Sequence, residues 1–357
     1  MPDIKNPKTE FQSVDTDAVS KVWIGGGKND AANIVGQEFA DITGGSHINV
    51  DELDDLLAAI LTSKGLKDVP GLEGVELASL TTESFILAIS GAGGSTDYIE
   101  FTGSAAKAAI DAVAGDRINL YSNKSELTIF DTDEDRSLIL NGKFLDNTGF
   151  LSEEFRDLVE DNRIHTDEID DVLGAVLGGK GWGGPEDHGL ESVDLVSLTD
   201  NEFALKFNGR GATSDTVVFK GNAAQEAIEA VAKNHIDIKD NKTALGIFDL
   251  AEDDTFFLGG GASDKSIVSD GFNDLVAGSK LASSEVLSIF EAIVSGGKWG
   301  DPQSNGVKGV ALVGKDNDSF AIALDAAGPS TDYIIFDNVH LLEGAEAYGF
   351  KADDTPA

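Results

Sequence analysis

Apolar positions along this chain follow two rhythms that take turns. Across residues 49–61, Leu53, Leu56, Leu57, Ile60 and Leu61 recur at three- and four-residue spacing, which is one stripe of an amphipathic helix. Asp51, Glu52, Asp54 and Asp55 crowd its first turns, where the helix dipole favours negative charge. The period then drops to two. Val75 to Leu80 alternates, a polar turn runs from Thr81 to Ser84, and Phe85 to Ile89 alternates again. After a glycine-rich turn at 91–94, Tyr98 to Phe101 completes the pattern of a three-stranded antiparallel meander. The alanine-rich segment Ser104–Ala114 has high helix propensity, and Leu127–Phe130 reads as a last strand. Upstream, Val22–Ile24 is a short apolar stretch ending in glycine, and Ile34, Phe39 and Ile42 have the spacing of a short helix.

This succession occurs three times. Copies of roughly 117 residues begin at Lys21, Ser137 and Thr255. Asp51–Leu57 answers Asp167–Leu173, with Ser284–Phe290 a looser third version; Ser95–Phe101 answers Thr213–Phe219 and Ser330–Phe336. The expected class is α+β: three tandem repeats, each a small antiparallel sheet with helices on one face. The boundaries follow as 1–20 for an N-terminal segment, 21–136, 137–254 and 255–350 for the repeats, and 351–357 for a tail. The third copy lacks the closing Ile-Phe-Asp strand, while Thr9–Asp17 resembles Thr128–Asp133. The N-terminal segment is therefore expected to pair with the last repeat and close the array, removing an open sheet edge.

Charge narrows the partners. With 26 basic and 64 acidic residues the net charge is −38, a surface that repels nucleic acid and attracts cations. Such a surface equally suits solvation in a salty environment. Cysteine is absent, which excludes disulfides, thiolate nucleophiles and Cys-based metal sites. No apolar run has the length of a membrane span, and the first residues lack the apolar core of a signal peptide. The expected address is the exterior or the cell surface without a cleavable signal, or else the cytoplasm of a salt-adapted organism.

Because the copies are internal, recurring polar residues can be compared within one chain. Asp30, Asp146 and Asp264 follow the first glycine turn; Glu52, Glu168 and Glu285 open the clearest helix; Asp97, Asp215 and Asp332 precede the third meander strand. Turn formation and capping account for such positions structurally. The sharper expectation is calcium, a hard cation that takes several oxygen ligands. Its best candidates are Asp131, Asp133 and Asp135, with counterparts Asp15 and Asp17, and Asp249, Asp253 and Asp254, together with Asp30, Asp146 and Asp264. The spacing of Asp131, Asp133 and Asp135 resembles the start of an EF-hand loop, but Arg136 stands where glycine is needed and Gly142 where the closing Glu belongs.

Catalytic signatures are missing from the sequence. The glycines of 179–184 fit a dinucleotide pattern yet follow a helix, not a strand. Trp182 and Trp299, in loops after the clearest helix, are candidates for stacking a sugar or a hydrophobic ligand. The functional expectation is a non-catalytic surface or extracellular structural protein that self-associates, or joins other surface proteins, through repeated faces, with calcium as organiser. The alternative is a secreted binding module that uses the Trp-bearing loops.

Overall fold

The computed structural model describes residues 11–23, 47–62, 72–91, 96–115, 118–119, 125–141, 163–178, 190–209, 213–232, 243–257, 280–294, 307–326 and 331–340. The short helix expected around Ile34, Phe39 and Ile42 lies outside them. The chain divides into two compact units, residues 1–114 with 294–296 and 340–357 in one, and 115–293 with 297–339 in the other.

In the first unit, β1 (Phe11–Asp15) precedes a small hairpin of β2 (Lys21–Trp23) and β3 (His47–Asn49). A 3-10 turn at Val50–Glu52 leads into α1 (Leu53–Leu61), which buries Leu53, Leu56 and Leu57, three members of the stripe read from the sequence. Next come β4 (Leu72–Leu80), β5 (Phe85–Gly91) and β6 (Thr96–Thr102), an antiparallel meander, and then α2 (Ser104–Val113), which packs on α1. β1 lies parallel to β6, with Phe11 opposite Tyr98 and Asp15 opposite Thr102, so the sheet order is β1-β6-β5-β4.

Two short pieces, β7 (Ala114–Gly115) and β8 (Ile118–Asn119), lead to the second unit. There the same succession runs β9 (Leu127–Asp131), β10 (Ser137–Asn141), β11 (Arg163–His165), α3 (Ile169–Leu177), β12 (Leu190–Leu198), β13 (Phe203–Gly209), β14 (Thr213–Lys220) and α4 (Asn222–Val231). It runs again as β15 (Leu245–Asp249), β16 (Thr255–Phe257), β17 (Lys280–Ala282), α5 (Val286–Val294), β18 (Val307–Lys315), β19 (Phe320–Ala326) and β20 (Thr331–Asp337). β9 lies parallel to β14 and β15 to β20. The class is mixed α+β, with small sheets and few helices.

One expectation is corrected by these pairings. The N-terminal strand joins the first meander and not the last repeat, because the edge it was expected to fill is taken by β15. Likewise β9 completes the meander that follows it. A parallel partner needs a long crossover, and the hairpin, helix and meander between β1 and β6 supply one.

The cores are built alike. Phe85 stacks on Phe101 at 5.0 Å, Phe203 on Phe219 at 4.9 Å and Phe320 on Phe336 at 4.7 Å, each across β-partners of the meander. Phe130 and Phe248 add edge-on contacts from the parallel strand, at 5.7 and 5.9 Å; Val14 is their buried counterpart in β1. Each such aromatic pair contributes about 0.5–1.5 kcal/mol beyond its buried area.

Within the second unit the two sheets meet. One apolar cluster runs from Phe203, Leu205 and Phe219 through Leu198 to Val313, Ala321, Ala323 and Ile335. β12 packs against β18. At Gly314 an added Cβ would fall onto the backbone of Leu198, so this contact accepts no side chain there. Ser79 and Ser197 stand at the same bulge of β4 and β12, where the register shifts after Leu77 and Leu195 as it does after Leu312.

Removing residues 1–18 is therefore expected to raise amide exchange in β6 and at the start of α2 while leaving β14 and β20 protected. Loss of protection in β20 instead would restore the pairing with the last repeat.

Candidate functional site

The acidic junctions that follow the parallel strands are where sequence reasoning placed metal. Each is a turn with a carboxylate folded onto its own backbone. Asp15 Oδ1 accepts from the Asp17 N–H at 2.9 Å, Asp131 Oδ1 from the Asp133 N–H at 3.1 Å, and Asp249 Oδ1 from the Ala251 N–H at 2.8 Å. Backbone bonds then close the turn, as from the Asp135 N–H to the Asp131 carbonyl and from the Asp253 N–H to the Asp249 carbonyl.

The next two side chains reach across to the helix that follows the meander. The Ser104 N–H donates to the Asp17 carboxylate at 3.2 Å and its hydroxyl donates to the same group, while the Ala105 N–H donates to Thr16 Oγ1 at 3.1 Å. In the second unit the Asn222 N–H donates to Asp133 Oδ1 at 3.1 Å and the Ala223 N–H to Thr132 Oγ1 at 3.2 Å. The first N–H groups of a helix have no partner within it, and here a distant Thr-Asp pair serves as the cap. The position a local capping side chain would hold is glycine, at φ +88° for Gly103 and +95° for Gly221. A Cβ at Gly221 would lie 2.6 Å from Thr132 Oγ1. Glycine is thus required by both the left-handed backbone and the approach of the cap.

The third junction differs in every part of this arrangement together. Leu250 and Ala251 replace the Thr-Asp pair, and Asn338, at φ 60°, replaces the glycine. The Asn338 amide donates to Asp249 Oδ1 at 2.7 Å, so the side chain lost from one partner returns on the other.

Lys220 Nζ lies 2.9 Å from Asp131 Oδ2. Partial burial would raise the Asp131 carboxyl, but the Lys220 ammonium and the backbone N–H groups of Asp133 and Glu134 outweigh it and hold the group below its ordinary value. The other recurring acids are also engaged. The His165 and Ala282 N–H groups donate to Glu168 and Glu285 at 3.0 and 3.2 Å, and the Asn49 amide donates to Glu52 at 2.7 Å. Buried Asp215 and Asp332 accept from the N–H groups of Glu126 and Ala244 at 3.0 and 2.8 Å, which fixes the starts of β9 and β15.

Asp135, Asp253 and Asp254 are exposed on their turns, where the Asp135 and Asp254 carbonyls accept from the Thr166 hydroxyl and the Ser283 N–H. Among the described residues, no group of three or more carboxylates and imidazoles is arranged to hold a metal ion. Asp30, Asp146, Asp264, Trp182 and Trp299 lie outside the described residues. A cleft of about 880 Å³ opens beside the second junction, lined by the acids Asp133, Glu134, Asp135, Asp167, Asp170 and Glu226 together with Arg136. Its chemistry favours cations and cationic side chains over anions. Among the described residues, no helix is long and apolar enough to cross a membrane. No protein-family model matches the chain, and no curated protein matches it.

Sequence reasoning missed a third group of acids, Asp200, Asp316 and Asp337, which the contact between the two sheets of the second unit brings together. Recurrence could not find it, since the positions matching Asp200 are Thr82 and Asn317. The available signal was the acidic character of two matching hairpin turns, Thr199–Glu202 and Asp316–Ser319, whose adjacency only the structure shows.

Thr132→Ala and Asp133→Ala are each expected to lower the stability of the second unit by about 1 kcal/mol, the cost of a lost cap. Urea unfolding followed by helical circular dichroism measures this. Two variants as stable as the parent would show that the junction does not cap α4.

Proposed function

We propose that this chain is a non-catalytic structural protein made of three copies of one α+β unit, and that it assembles by docking such units on one another. The units are best counted from the parallel strands, at Phe11, Leu127 and Leu245, about ten residues before the apolar stretches that first mark the repetition. Each then comprises a parallel strand, a small hairpin, a helix, a meander and, in the first two, a capping-dependent alanine helix.

The observation that carries the proposal is the contact of β12 with β18. Two copies pack through equivalent strands within one chain, flush enough that Gly314 rests on Leu198. That two such faces pair inside the chain supports the reading that equivalent faces can pair between chains. The recurring acids support the same reading, because they hold helix starts and strand starts in place. Calcium enters this proposal at the exposed carboxylates beside those caps, Glu134 and Asp135 in the second unit and Asp253 and Asp254 after β15. The acidic, cysteine-free composition is compatible with surface or extracellular placement, and equally with the cytoplasm of a salt-adapted organism.

Light scattering after size exclusion, over a range of protein concentrations and with calcium or chelator, tests the proposal. Concentration-dependent species larger than one chain are expected, increased by calcium and regular in electron micrographs. A monomer under every condition would contradict assembly.

A further inference from the structure

The contact between β12 and β18 brings two hairpin turns and a strand end together, and all three present carboxylates. In the first turn Asp200 is half-buried; its Oδ2 accepts from the Asn201 amide at 2.9 Å, while its Oδ1 is fully enclosed without a hydrogen bond. The second turn is closed by Asp316, whose Oδ1 accepts from the N–H groups of Asp318 and Ser319 at 2.9 and 2.6 Å. At the end of β20, Asp337 Oδ1 accepts from the Asn338 N–H at 2.7 Å, and the Val339 N–H ties this end to the Asp318 carbonyl at 2.8 Å. Asp249 stands opposite Asp337 on β15. Lys315, the basic residue of the second turn, directs its Nζ to the Asp316 carbonyl at 3.3 Å, and Glu202 is buried on the first.

We infer that this contact is a proton-operated clamp: a proton on Asp200 lets the first hairpin turn sit against Asp316 and Asp337, so the two sheets of the second unit grip more tightly in mildly acidic solution than in neutral solution.

A protonated Asp200 has an O–H to donate from an oxygen that is enclosed and otherwise unbonded, with the Ser319 hydroxyl beside it and the Asp316 and Asp337 carboxylates nearby. An ionised Asp200 has only the nearby Ser319 hydroxyl as a donor there, without a completed hydrogen bond, and adds a third negative charge to a partly dry contact. Burial first, then Asp316 and Asp337, push the Asp200 carboxyl up to about 6; the nearby Ser319 hydroxyl offsets part of the rise without completing a hydrogen bond. Burial, with Asp249, Asp316 and Asp318 nearby, raises Asp337 against the backbone bond that lowers it. Close approach of the two sheets is also felt at Tyr333, which burial, then Asp325 and Asp194 of β12, push up to about 12.

The direction follows by linkage. The folded chain holds the Asp200 proton more tightly than the unfolded chain, whose carboxyl has the ordinary value of 3.8. The contribution is therefore complete below the ordinary value and is lost as pH rises through about 6. It rests on a contact inside one chain and holds whether or not chains assemble.

Acid relieves repulsion everywhere on so acidic a protein, so the diagnostic quantity is a difference between variants. Full-length parent and Asp200→Asn are melted from pH 4 to 8 at fixed ionic strength in chelator, with amide exchange read over β12 and β18. The Asn amide supplies the missing donor without charge. At neutral pH the variant is expected to melt about 2–4 °C above the parent and to protect both strands better, with the difference vanishing toward pH 4. A variant that folds but gives the parent's pH profile, or is less protected at neutral pH, overturns the inference. Should the variant fail to fold, a carbon-13 carboxyl titration of the parent decides: a midpoint near 6 is expected, and one in the ordinary range near 4 overturns it.

Discussion

The parallel pairing of a five-residue strand with the last strand of each meander is the constraint on which the rest of this structure depends. It runs in the same register each time, Phe11 against Tyr98, Leu127 against Thr216 and Leu245 against Tyr333. Buried Asp215 and Asp332 hold the start of the strand from the neighbouring strand, and the register brings its end beside the turn that leaves the sheet. In that position the Asp-Thr-Asp turn faces the free N–H groups of the next helix. A one-residue slip would turn Val14, Phe130 and Phe248 away from the core and the caps away from the helix. Core and caps are therefore set by one ladder.

The caps show how local chemistry changes as a unit. With Thr and Asp on the turn, the facing residue is a glycine in the left-handed region, and a helix begins. With Leu250 and Ala251 on the turn, the facing residue is Asn338, whose amide returns the hydrogen bond to Asp249. Among the described residues, most of the recurring acids are held by backbone donors or by Lys220. Their regularity reflects backbone groups that must be satisfied at matching places beside each sheet. The acids at the contact between sheets are different, because they come from two sheets and do not recur at the matching positions.

Much of this was legible in the sequence. The stripe of Leu53, Leu56 and Leu57 reappears as the buried face of α1, and the alternation from Val75 to Phe101 as β4 to β6. The stretches read as local elements because side-chain period reports on local backbone geometry. The partner of β1 was not legible. A parallel strand finds its neighbour through a ladder some ninety residues away, and similarity between Thr9–Asp17 and Thr128–Asp133 says which strands are alike, not which sheet each joins. The junction acids were visible as a cluster, but a cap and a cation site begin from the same residues. Only the position of Asn222 and Ala223 separates them. Asp200 escaped notice because its meaning comes from Gly314, which admits the second sheet to the Leu198 backbone.

The most direct test is whether the junction carboxylates serve the helix or a cation. Amide exchange at Asn222 and Ala223, measured first in chelator and then in millimolar calcium, decides it. The account predicts full protection of both amides in chelator and no change when calcium is added, since Asp133 and Thr132 already hold them. Protection that appears only with calcium, or disappears on adding it, would mean that these side chains are metal ligands and that the capping account is wrong.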